Sequence, residues 1–373
     1  MPLALFALTI SAFAIGTTEF VIVGLVPTIA QQLAISLPSA GMLVSIYALG
    51  VAIGAPVLTA LTGRLPRKQL LVALMVLFTA GNLLAWQAPG YMTLIVARLL
   101  TGLAHGVFFS IGSTIATSLV PKEKAASAIA IMFGGLTVAL VTGVPLGTFI
   151  GQHFGWRETF LAVSLLGVIA LMSSQLLIPT NIPGRAAASI RDQVKVLTHP
   201  RLLLIYAVTA LGYGGVFTAF TFLAPMMQDL AGFSPAAVSW ILLGYGVSVA
   251  IGNIWGGKLA DKHGAVPALK FIFAALATIL VMGIFAFGNV PGLQVYVVQK
   301  AEQFTPNAVD VASGLNIAAF NIGIALGSVI GGQTVAHYGL AQTPWIGALI
   351  VLVAFLLMGV SGRLDKPVRI ALE

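Results

Sequence analysis

The sequence predicts an all-α integral membrane protein arranged as two six-helix bundles related by a pseudo-two-fold axis around a central cavity, and three observations carry that expectation. Of 373 residues 59% are apolar and 8% charged, whereas an ordinary soluble domain carries about a quarter charged residues. Apolar runs long enough to cross a bilayer core of about 30 Å as helices follow one another nearly end to end, without the period-two alternation that a barrel needs. The chain also repeats itself. An offset of 198 aligns Pro27 with Pro225, Ser36 with Ser234, YALGVAIG (47–54) with YGVSVAIG (245–252) and Leu61 with Leu259, so two parallel halves follow.

In chain order the spans fall at about residues 3–29, 38–62, 69–87, 91–119, 125–152 and 158–179, making an N-terminal bundle over 1–180. The first run has no basic n-region and no small-residue cleavage site, so it is read as a retained span. A polar linker over 181–201 contains AAASIRDQVKVLTHP, with Ile190, Val194 and Leu197 on one helical face and Arg191 and Lys195 on another. That pattern predicts an amphipathic helix on the membrane surface, with a disordered tether as the alternative. The second bundle, over 202–373, has runs at about 202–228, 236–257, 265–299, 308–336 and 342–362, then a basic tail. With the N-terminus inside, sixteen of the eighteen Lys and Arg lie in cytoplasmic segments, all but Arg98 and Arg157. This is the positive-inside rule, and it places both termini in the cytoplasm.

The run 265–299 is too long for one span and too short for two with a turn. Gly143, Gly147 and Gly151 find counterparts in Gly323, Gly327 and Gly331 at an offset of 180 rather than 198. About 16–18 residues are therefore expected to be missing near 272–280, either deleted or hidden by continuous numbering.

Composition and motif content exclude several functions. The net charge of +8 reads as membrane topology and not as nucleic-acid binding. The absence of cysteine excludes disulfides and thiolate metal sites. The histidines lack ligand spacing, no GxxxxGK[ST] is present, and no Ser/His/acid set is visible. An enzyme, a metal site and a bound cofactor are not expected.

Charge inside the membrane is the sharpest signal. Glu19 stands in AFAIGTTEF, roughly 24 Å along the first span, and Arg98 lies roughly 10 Å into the fourth from the opposite end, which sets them at matching depth. An ion pair between spans one and four is the structural expectation. His105, two turns beyond Arg98 on the same face, titrates near neutral pH and opens a functional alternative. Mid-span polar and aromatic groups are candidates to line a cavity between the halves: Thr17, Thr18, Tyr47, Phe108 and Met132 from the first half, and Tyr213, Phe217, Tyr245, Asn289, Gln294 and Asn316 from the second. Asn316 and Asn321, five residues apart, splay to different faces, so one of them is expected to join helices. Glycines at four-residue spacing let helices approach closely, and Pro145 can bend span five.

GKLADKHG (257–264) resembles the loop signature of the major facilitator superfamily, with Gly257, Asp261, Lys262 and Gly264 in the matching places. The first half reads ALTGRLPRK, which keeps Arg64 and Arg67 but puts Gly63 where the acid would stand. ARLLTGLAHG in span four, GVPLG (Gly143, Pro145, Gly147) in span five, GWRETF and VPGLQ are further matches. Together they resemble the twelve-span drug/proton antiporter branch, especially bacterial sugar and arabinose efflux permeases. The resemblance implies a monomeric exporter in the bacterial inner membrane that moves a small substrate against protons, with a glycine seam that lets the halves rock. Glu19, engaged with Arg98 in one conformation, would be freed and protonated in another, with His105 assisting. A half without buried charge fits a neutral or amphiphilic, sugar-like or drug-like solute. A uniporter or uptake symporter of the same fold is the alternative, and a non-transporting sensor ranks last.

Overall fold

The computed structural model describes residues 3–58, 61–62, 65–120, 125–180, 182, 190–263 and 279–365. Nine of its helices are long and apolar enough to cross a membrane, among the described residues. The first half contains α1 (Leu3–Gln32), α2 (Leu37–Ile53), α3 (Arg67–Trp86), α4 (Tyr91–Ser118), α5 (Ala125–Val138), α6 (Val144–His153) and α7 (Trp156–Leu177). The linker forms α8 (Ile190–Thr198), and the second half contains α9 (Pro200–Phe220), α10 (Pro235–His263), α11 (Ile279–Phe304), α12 (Val309–Tyr338) and α13 (Thr343–Leu364). We call the end where α1 begins and α13 finishes proximal, and the other distal.

Local chemistry sets the breaks. The α1–α2 turn closes on Ser36, whose side chain accepts from the Ser39 amide, capping an otherwise orphan donor. Gly155, at φ 108°, turns α6 into α7, a conformation that a side chain disfavours. Three prolines coincide with π-turns: Pro56 lies within Gly54–Leu58, Pro145 follows Ala139–Gly143, and Pro225 precedes Met226–Leu230. A proline cannot donate to the helical ladder, and a π-turn absorbs the lost bond. The turn Ala139–Gly143 thus joins α5 and α6 into one span. The seventh span is discontinuous: α9 stops at Phe220, and a short turn Leu223–Pro225 leads into the π-turn beyond it.

Packing follows the repeat. In the first half α1 packs on α5 and α7, and α2 on α4; in the second α9 packs on α12 and α13, and α10 on α11. In the first half α3 bridges α4 and α7. Among the described residues no helix takes that place in the second half, and the junction 264–278, where missing residues are expected, lies outside them.

The glycine ladders lie inside each half. A Cβ on Gly143 would stand 2.2 Å from Thr17 Oγ1 and one on Gly147 2.5 Å from Val21, both on α1; one on Gly327 would stand 2.0 Å from the Gly214 carbonyl of α9. These glycines pack helices within a half, and the seam between the halves lies elsewhere. That seam is made by α2 against α12 and by α10 against α6 and the turn before it. There a Cβ on Gly246 would stand 2.2 Å from the Leu140 carbonyl. Three side-chain hydrogen bonds cross between halves among the described residues: Ser45 to the Ala325 carbonyl at 3.0 Å, Ser328 to the Gly41 carbonyl at 2.9 Å, and Ser239 to Gln152 at 3.1 Å. All lie in the distal half. Phe222, wholly buried at the break after α9, fills the notch left by Gly41 on α2.

Candidate functional site

Four polar side chains meet where α1, α2 and α4 converge. Arg98 is 1% exposed. Its Nη1 donates to the Thr18 carbonyl at 2.7 Å and its Nε to the Leu43 carbonyl at 3.3 Å, while Nη2 has no partner among the described residues. Its guanidinium lies over the Tyr47 ring, 4.1 Å from the centroid, where the ring quadrupole attracts a cation. The Tyr47 hydroxyl is 3.0 Å from His105 Nδ1, and that nitrogen is 3.9 Å from Glu19 Oε2. The groups therefore run in a line from Arg98 through Tyr47 and His105 to Glu19.

The expected Glu19–Arg98 contact does not form. The His105 imidazole lies 3.9 Å from Glu19 instead, and Arg98 turns to backbone carbonyls and an aromatic face. Arg98 does reach the first span beside Glu19, at the Thr18 carbonyl, but position along a helix does not fix azimuth. Tyr47, expected to line a cavity, is the bridging member of the set.

Several other expected lining residues are packing groups. Thr18 donates to Asn82 of α3 at 2.7 Å, and Phe108 and Met132, both 0% exposed, belong to the apolar core of the first half. Thr17 bonds its own helix at Phe13. In the second half Gln294 and Asn316 join helices: Asn316 donates to Gln294 at 3.0 Å and accepts from Thr209 at 2.8 Å, while Gln294 donates to Ser313 at 2.6 Å. Sequence marked these amides as mid-span without showing that they satisfy one another. Asn321 donates to the Ile317 carbonyl of its own helix.

The second half carries an aromatic cluster. Tyr213 stacks on Phe217 and meets Phe320 edge-on, and Phe220 stacks on Tyr245 at 5.1 Å. The Tyr245 hydroxyl and both polar atoms of Asn289 are buried without partners among the described residues, which is costly in a dry interior. Gly257, Asp261 and Lys262 fall in the last turns of α10, which continues to His263 where a loop was expected. Arg67 opens α3; Arg64 and Gly264 lie outside the described residues.

A feature not foreseen is the proximal clamp of the second half. Asp365 accepts from Arg201, from the Tyr296 hydroxyl at 2.6 Å and from Lys300 at 2.8 Å, joining α9, α11 and the end of α13. Its only signal in the sequence is an acid directly after the last apolar run.

The family model described as Major Facilitator Superfamily matches residues 8–301. The chain belongs to that superfamily. It is 52% identical to the uncharacterized MFS-type transporter YtbD of Bacillus subtilis, over 98% of this chain and 97% of the relative, and 42% identical to the inner membrane transport protein YdhP of Escherichia coli K12, over 96% of each. It is 32% identical to the putative transporter AraJ of Escherichia coli K12, over 89% of this chain and 88% of AraJ. In fold it is similar to a bacterial homologue of the human lysosomal transporter Spinster, solved inward-facing and unoccupied, with a TM-score of 0.77 at 16% identity over 96% of each chain. The human organic anion transporter MFSD10 gives 0.68 at 16% identity, over 95% of this chain and 98% of that one. As a superfamily member this chain is a multi-pass membrane transporter of a small-molecule substrate, and not an enzyme.

Proposed function

We propose that the chain is a proton-coupled exporter that moves a small neutral or amphiphilic solute, sugar-like or drug-like, outward by alternating access across a bacterial inner membrane. Both termini are cytoplasmic on this reading, and the protein works as a monomer. The observation that carries it is the line Glu19–His105–Tyr47–Arg98: a carboxyl group within 3.9 Å of an imidazole, which itself hydrogen-bonds a phenol lying under a guanidinium. A carboxylate gains from nearby cations only while it is ionised. Any movement of α1 against α2 and α4 therefore changes the affinity of Glu19 for a proton, and proton binding biases that movement in return. The buried aromatic cluster of Tyr213, Phe217, Phe220 and Tyr245 in the second half suits a solute with an apolar body.

The halves in this proposal are 1–180 and 202–373, joined by the linker 181–201. The alignment with YtbD runs over 384 positions, while 98% of this 373-residue chain is about 366, in keeping with a chain shortened somewhere along its length. About 18 positions of the relative thus face no residue here.

The test is proton flux in proteoliposomes carrying an internal pH-sensitive dye, with outward gradients of L-arabinose or of the uncharged amphiphile chloramphenicol as probes. Proton movement opposite to the probe, lost in Glu19→Gln, is expected. Co-directional movement would establish a symporter, and probe flux without proton movement a uniporter.

A further inference from the structure

Asn82 stands within α3, 1% exposed, and it reaches the helix that carries Glu19. Its Nδ2 donates to the Phe78 carbonyl of its own helix at 2.8 Å, which leaves Oδ1 to accept from the Thr18 hydroxyl of α1 at 2.7 Å. Among the described residues this is the one side-chain hydrogen bond between α1 and α3. Its geometry sets Thr18 apart from its neighbours. Thr9, Ser11 and Thr17 each return a hydroxyl to the carbonyl four residues back in α1, the local bond that a helical Ser or Thr readily makes. Thr18, wholly buried, gives that bond up for a partner on another helix.

The far end of the bond is anchored. Beside Asn82, a Cβ on Gly81 would stand 2.6 Å from the Thr101 side chain of α4, so α3 and α4 are in close contact there. Thr101 in turn donates to the Arg98 carbonyl at 3.1 Å, and Arg98 donates to the Thr18 carbonyl. Thr18 is therefore held twice, by its hydroxyl on α3 and by its carbonyl on α4. Successive helical residues stand about 100° apart, so fixing the rotation of α1 at Thr18 also fixes the direction of Glu19, which points to His105.

We infer that Asn82 is a positioning residue for Glu19: it holds the Thr18 hydroxyl, and through it the rotation of α1 that presents the carboxyl group to His105. The inference rests on Glu19 being the proton carrier proposed above. Without the amide, the Thr18 hydroxyl falls back on the Ala14 carbonyl, as Thr17 does on Phe13, and α1 turns more freely against α3 and α4.

Asn82→Leu and Thr18→Val cut the bond from either side with little change of shape. Infrared difference spectra of the full-length protein in proteoliposomes at an acid pH read the carboxyl C=O band that disappears in Glu19→Gln. Both variants are expected to shift that band in the same direction. The double variant should shift it no further than a single one, because the two substitutions remove one interaction. Thr159→Val, which removes a buried hydroxyl bond to the Gly147 carbonyl in the same half, should leave the band in place. If Asn82→Leu fails to fold, Thr18→Val carries the test. A Glu19 band that neither variant moves, that Thr159→Val moves equally, or whose shifts add in the double variant overturns the inference alone. A wild type without such a band overturns the proton site and the inference with it.

Discussion

Tyr47 and Tyr245 hold equivalent places in the two halves, at the offset of 198 that aligns α2 with α10, yet their surroundings differ. Tyr47 lies under Arg98 and hydrogen-bonds His105, which faces Glu19. Tyr245 stacks on Phe220 and leaves its hydroxyl unpaired among the described residues. The repeat supplies the same scaffold twice, and the first half fills it with ionisable groups while the second fills it with rings and amides. Lipid makes buried charge costly, so concentrating it on one side keeps the other free of fixed charge. On the proposed reading the first half handles protons and the second recognises the solute.

The largest expected effect belongs to the charged half. Glu19→Gln should lower pH-driven probe flux by at least about tenfold, ~1.4 kcal/mol of lost coupling, with an unchanged melting temperature. Loss of folding together with flux would instead make Glu19 a structural residue. The amides of the second half can be separated from each other by chemical denaturation. Asn316→Leu strands Thr209 and Gln294 and should cost roughly 1–3 kcal/mol, whereas Asn289→Leu removes a polar group with no partner among the described residues and should be neutral or stabilising. If both cost the same, Asn289 has a partner that this structure does not contain. The tyrosines sharpen the comparison at smaller scale: Tyr47→Phe should cost about 0.5–1.5 kcal/mol by freeing His105, and Tyr245→Phe nothing. Smallest of all, Asp365→Asn at the partly exposed proximal clamp should change stability by no more than about 1 kcal/mol, an effect that high salt should reduce.

Much of this architecture was legible in the sequence because lipid leaves the backbone few options. The expected runs 91–119 and 158–179 correspond to α4 and α7, Tyr91–Ser118 and Trp156–Leu177. Depth was legible too, since a helix rises a fixed 1.5 Å per residue, and Glu19, His105 and Arg98 do share one region. Direction was not. A matching depth suggested that Glu19 meets Arg98, but the guanidinium had a nearer set of carbonyls and a ring to cover. The amides failed in the same way: Gln294 and Asn316 looked free in the sequence and are spent on each other. The break at Thr221–Phe222 was hidden because an apolar run reads the same whether the helix within it is continuous or not.

Infrared difference spectroscopy of the protein in proteoliposomes, titrated in pH with no substrate added, tests the central claim most directly. The account predicts a carboxyl C=O band that appears on acidification, disappears in Glu19→Gln, and shifts when His105→Gln or Tyr47→Phe alters its neighbours. Spectra of wild type and Glu19→Gln that coincide at every pH would contradict it.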